Sequence, residues 1–119
     1  MSEAAQQSKL YQAVKLLQPE AWPAGLEFNH AALWGDWLWR YGGCTIPESI
    51  ARLAFEASTA EFLLRQDHMV KVWSPVDRLS DGKRIPEAYV VALDDEDVDA
   101  AQMYPTKIEA LVAKCREVR

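Results

Sequence analysis

Apolar positions recur at helical spacing over residues 5–18, where Leu10, Val14 and Leu17 join Tyr11 and Ala13 on one face. The spacing predicts a first helix, ended by Pro19. Pro19, Pro23 and Gly25 then punctuate a connection over 19–28. His30, Trp34, Trp37, Leu38 and Tyr41 share a stripe that predicts a second helix over 30–41. Asn29 is placed to cap its first amides, with Phe28 and Leu33 as a hydrophobic staple. Arg40 suits the dipole in its last turn, and Gly42-Gly43 can supply the left-handed residue that closes it.

Thr45-Ile46-Pro47-Glu48 has the form of a capping box with proline in the first turn, so a third helix is expected from near Ile46. Ser58-Thr59-Ala60-Glu61 repeats that signal. It favours a break at 55–58 and a fourth helix from near Thr59. One continuous helix over 46–66 is the other reading, because Ile46, Ile50, Leu53, Ala57, Ala60 and Leu64 keep a regular stripe with no Gly or Pro between them. Met69 to Trp73 alternates and is β-rich, and Ala88 to Leu93 is a second strand. The two are expected to pair as an antiparallel hairpin across a charged loop, Pro75 to Pro86, which holds the turn signal Ser80-Asp81-Gly82-Lys83. After the acidic run at 94–99, Pro105 opens a last helix. Ile108, Leu111, Val112 and Cys115 form its apolar face, and Lys114, Arg116 and Arg119 suit its C-terminal end.

These elements fit one domain of 119 residues, half of them hydrophobic, which excludes intrinsic disorder. Its parts are an N-terminal helix and connection (1–28), a helical core with the hairpin (29–93), and the acidic loop with the C-terminal helix (94–119). The net charge of −5 weighs against nucleic acid and anionic membranes, whose phosphates demand clustered cations. Met1 to Gln7 lacks the basic start and apolar run of a secretory signal, and Ala88 to Leu93 is too short to span a bilayer. A cytoplasmic protein with Cys44 and Cys115 as free thiols is the expectation.

Candidate chemistry changes this picture little. Asp95, Asp97 and Asp99 match the first three ligand positions of an EF-hand loop. The match then fails, with Ala100 where the turn glycine belongs and Thr106 in place of the closing Glu. His30 and His68 stand outside any metal-ligand spacing, and Gly42-Gly43-Cys44-Thr45 fits no phosphate-binding pattern. The chain offers no recognisable catalytic residue, metal ligand or cofactor motif.

Trp39 is more telling. On a helix over 30–41 it points away from Trp34, Trp37 and Tyr41, with Gly35 one turn earlier on the same side. Either a second layer of the same domain covers it or a partner does. The partner reading makes Gly35, Asp36, Trp39 and Arg40 the candidate binding residues and assigns Trp37 to the core.

With a break at 55–58, the order of helices 30–41, 46–54 and 59–66 and strands 69–73 and 88–93 resembles a winged helix-turn-helix domain. Ile50-Ala51-Arg52-Leu53-Ala54 resembles its second helix, Ser58 to Gln66 stands at the recognition helix, and Asp67-His68-Met69-Val70-Lys71-Val72 resembles the entry to the wing. The turn Phe55-Glu56-Ala57 lacks the usual glycine. The resemblance implies an α+β fold of four to five short helices with one antiparallel β-hairpin in winged-helix-like order, plus a C-terminal helix. It makes Arg65, Gln66, Arg78, Lys83 and Arg84 the possible nucleic-acid contacts. The primary expectation is a small non-enzymatic adaptor that binds another protein or itself, of the kind encoded by phages and mobile elements. A winged-helix DNA-binding regulator is the alternative, and a small enzyme with an unrecognised site comes third.

Overall fold

Residues 26–31, 36–41 and 44–46 build a sheet where sequence spacing predicts a helix over 30–41. The computed structural model describes residues 8–31, 35–73, 89–97 and 101–118. Strands β1 (Leu26–Ala31), β2 (Asp36–Tyr41) and β3 (Cys44–Ile46) pair antiparallel in that order. Phe28 lies opposite Trp39, and His30 opposite Trp37. The physical reason is the period of two: Leu26, Phe28 and His30 alternate with Glu27 and Asn29, and Trp37, Trp39 and Tyr41 alternate with Leu38 and Arg40, so one sheet face is largely aromatic. Gly42 and Gly43 have φ of +58° and +84°. Positive φ at both central positions is what a two-residue type I′ hairpin turn demands, so the pair that reads as a helix stop is the β2–β3 turn. Asn29 sits mid-strand and donates to Glu27 at 2.6 Å instead of capping a helix. Leu33 and Trp34 lie outside the described residues.

Among the described residues there are three helices, fewer than the four to five expected, in a mixed α+β arrangement with two antiparallel sheets. Helix α1 (Lys9–Val14) is capped by Ser8, whose hydroxyl accepts from the Tyr11 amide at 3.1 Å. A 3-10 turn, Pro19–Ala21, follows. Helix α2 (Glu48–Arg65) is continuous through the expected break. The second capping box is put to other uses: Thr59 is fully buried and its hydroxyl donates back to the Phe55 carbonyl at 2.8 Å, while Ser58 donates to the Ala21 carbonyl at 2.7 Å. The first box is also dissolved. Thr45 and Ile46 belong to β3, and Pro47 caps α2 without a side-chain bond.

The expected hairpin is present as β4 (Val70–Trp73) and β5 (Val90–Leu93), paired antiparallel. Its loop, Pro75 to Pro86, lies outside the described residues. The last helix, α3 (Lys107–Glu117), starts where expected, with Thr106 accepting from the Glu109 amide and donating to its carboxylate. Ile108, Leu111, Val112 and Cys115 are all buried. One core unites these parts: Leu10 and Val14 from α1 with Leu17 beyond its end, Trp39 from β2, Ala51, Phe55, Phe62 and Leu63 from α2, Val91 and Leu93 from β5, and the buried face of α3. No helix among the described residues is long and apolar enough to cross a membrane.

Candidate protein-binding surface

The four residues expected to meet a partner do not form one surface. β2 places Asp36 and Arg40 on its outer face and Trp39 on the inner one. Trp39 is 4% exposed. Its ring centroid lies 4.6 Å from Phe28, 5.5 Å from Phe55 and 6.4 Å from Trp22. Its Nε1 donates to Glu48 Oε1 at 3.4 Å, an oxygen that also accepts from the Ser8 hydroxyl at 2.6 Å. Trp39 is therefore covered by its own domain, and the partner reading of it is corrected. Gly35 has φ of +69°, and nothing lies within 4 Å of where its Cβ would stand. Its amide donates to the Ala31 carbonyl at 2.8 Å between β1 and β2, and among the described residues no other backbone approaches it. Arg40 is exposed and donates to the Gly43 carbonyl at 2.7 Å.

Trp37 is the less buried of the two indoles. Its ring lies 5.5 Å from Phe28 and 5.6 Å from His30. With Ser8, Ile46, Pro47 and Glu48 it lines a shallow depression of about 560 Å³ at the point where β3 ends. Its Nε1 is buried without a hydrogen-bond partner among the described residues.

Of the possible nucleic-acid contacts, Arg65 is held by Glu61 at 2.6 Å and Gln66 closes α2. Arg78, Lys83 and Arg84 lie outside the described residues. The acidic run is partly structural. Asp94, at φ +55°, accepts from the Met69 amide at 3.0 Å and meets His68 Nδ1 at 2.8 Å. The amide bond and the His68 contact hold its carboxyl below the usual carboxylate range. Glu96 is likewise lowered, by Lys114 and then by the Leu93 amide, and so ties the loop to α3. Asp99 lies outside the described residues. Both cysteines are free. Cys44 is exposed, whereas burial pushes the Cys115 thiol up to about 12.

The regular stripe of apolar residues on α2 that continues through Ile50, Leu53, Ala57, Ala60 and Leu64 is not its core face. In the fold the core face is Ala51, Phe55, Thr59, Phe62 and Leu63. Ile50, Leu53 and Leu64 are 48%, 61% and 56% exposed. Ala57 is exposed and Ala60 half-buried. The helix is thus apolar on two sides, with one turned outward. Beside this outer stripe runs a groove of about 460 Å³ between α2 and the Pro19 to Ala24 segment, lined by Trp22, Pro23, Ala54, Ala57, Ser58 and Arg65, among others. Comparison with protein-family models, with curated proteins and with solved structures finds no match to this chain.

Proposed function

We propose that this protein is a small accessory protein that binds another protein through the outer stripe of α2. One observation carries the reading: Ile50, Leu53 and Leu64 stand about half exposed or more on a single helix face, although the same helix already supplies a complete core face. Apolar side chains scattered singly over a surface need no explanation, but a contiguous stripe along one helix marks an interaction site. Helix faces of this kind engage partners through anchors spaced three and four residues apart. Trp39, which the sequence offers as the anchor, belongs instead to the core, and Trp37 lines the depression beside β3.

The test is capture from host lysate with the intact chain and with Leu53→Glu, analysed for protein and for nucleic acid. A bound protein retained by the wild type and lost by the variant, with an unchanged melting temperature, is the expected result. Equal capture by both chains would overturn the reading. The alternative, a winged-helix DNA-binding regulator, draws less support, since the one cation of the would-be recognition helix is already engaged by Glu61. A nanomolar complex with one defined duplex at physiological salt would reverse that order.

A further inference from the structure

Strand β3 covers only half of β2, pairing with Trp39, Arg40 and Tyr41. Gly42-Gly43 makes a two-residue turn, so Tyr41 and Cys44 exchange both main-chain hydrogen bonds. Bonded and non-bonded pairs alternate along an antiparallel ladder. Trp39 and Ile46 are therefore the next bonded pair, and the amide and carbonyl of Trp37 point the same way, away from β1 and into the lane of β3. Pro47 stops β3 before it reaches them. Proline has no N–H to give a ladder, and the chain turns from it into α2. Among the described residues, no group bonds the lane-facing side of Trp37. The depression of about 560 Å³ lies along this length of edge. Trp37 and Leu38 point to opposite faces of the sheet, yet both line it, so it opens on the edge of the strand.

We propose that this edge receives an extended peptide segment of a partner protein, paired with Trp37 in the lane of β3 and carrying a basic side chain opposite Trp37. Strand addition of this kind takes its affinity from main-chain bonds and its specificity from the pockets that alternate side chains enter. Cross-strand partners share a sheet face, so the peptide residue opposite Trp37 lies on the aromatic face. Glu48 holds its carboxylate on that face, since Oε1 accepts from Trp39 Nε1 at 3.4 Å and from the Ser8 hydroxyl at 2.6 Å. Its Oε2 has no partner among the described residues. Glu48 is also the one charged residue among the described residues that line the depression. A cation there gains a carboxylate oxygen and the neighbouring indole of Trp37, whereas an acidic side chain is repelled. The lane spans three residues of β2, roughly 10 Å. One pair of main-chain bonds and one ion pair place the dissociation constant on the order of millimolar. None of the lining residues belongs to the α2 stripe, so the two surfaces are independent.

The probe is a capped pentapeptide, Val-Thr-Lys-Thr-Val, added at millimolar concentration to the nitrogen-labelled full chain and followed by NMR. In the free protein the Trp37 amide should exchange with solvent about tenfold faster than that of Trp39, or more. The peptide should shift the amides of Trp37, Ile46 and Glu48 and slow exchange at Trp37. Glu48→Gln keeps an acceptor for Ser8 and Trp39, and should weaken binding by about tenfold. A peptide with Glu in place of Lys should not bind, nor should one methylated on the lysine main-chain amide, which removes the donor to Trp37. Leu53→Glu should bind the probe as the wild type does. Protection of the Trp37 amide in the free chain would show that the edge is closed and would overturn the proposal. So would equal binding of the methylated or the acidic peptide, shifts spread over the acidic surface, or no shift at all. Any of these would leave the α2 surface standing, because that reading is decided by lysate capture with Leu53→Glu.

Discussion

Replacing Trp39 by Ala should cost about 3–5 kcal/mol, the usual loss for a buried aromatic, and replacing Trp37 should cost markedly less. Trp39 stands between three aromatic rings, those of Phe28, Trp22 and Phe55. Its removal opens a cavity where the sheet meets α2 and withdraws the indole donor from Glu48. Domains are typically stable by about 5–15 kcal/mol, so this variant approaches the unfolding threshold. Trp37 is half-buried. The area lost on truncation corresponds to roughly 1–2 kcal/mol. Part of that is returned, because its buried Nε1 has no acceptor among the described residues and an unsatisfied donor costs about 1–3 kcal/mol. Urea melts of the two variants give the comparison directly, and Trp39→Phe serves if Trp39→Ala does not accumulate. Equal losses would mean that the two indoles share one environment, contrary to the burial described.

The second large effect separates neighbours on α2. Leu63→Ala should destabilise the protein by about 2–5 kcal/mol, whereas Leu64→Ala should change monomer stability by no more than about 0.5 kcal/mol. Leu63 is fully buried and belongs to the core shared with α3 and β5. Leu64 is 56% exposed. Measured at low protein concentration, where association does not contribute, the pair reports the rotational setting of the helix. A large loss at Leu64 with a small one at Leu63 would place the outer stripe inside the fold and remove the basis for the binding surface.

Some of this was legible in the sequence. Helix α3 follows from Pro105-Thr106 and the spacing of Ile108, Leu111, Val112 and Cys115. The β4–β5 hairpin follows from alternation in one strand and a short apolar run in the other. Residues 26–41 misled because two periods coincide there. Trp34, Trp37, Leu38 and Tyr41 satisfy helical spacing, Trp37, Trp39 and Tyr41 satisfy alternation, and Gly42-Gly43 serves equally as a helix stop or a hairpin turn. The stretch also lacks Val, Ile and Thr, so propensity gave the strands little weight. Helix α2 misled differently. With apolar residues on both sides, spacing shows that two stripes exist and leaves open which one turns inward. The larger residues Phe55 and Phe62 were the available signal, since a core takes aromatic volume where an outer seam can be Leu and Ala. Glu48, Asp94 and Glu96 were illegible as structural groups because their partners come from elsewhere in the chain: Ser8 and Trp39, Met69 and His68, and Lys114.

The connectivity of the three-stranded sheet bears on how the chain folds. Ala31 pairs with Asp36 and Tyr41 with Cys44, so each turn closes over only a few residues. Closing so short a loop takes little entropy and well under a microsecond. The pairing of Trp73 with Val90, and the contact of α2 with α3, must instead gather chain segments far apart in sequence. The sheet is thus the natural first structure, presenting Phe28 and Trp39 as a platform on which Phe55 and the rest of α2 condense. On that order a β-branched residue at Gly42 slows refolding and leaves the unfolding rate nearly unchanged, while a truncation at Leu111 acts mainly on unfolding.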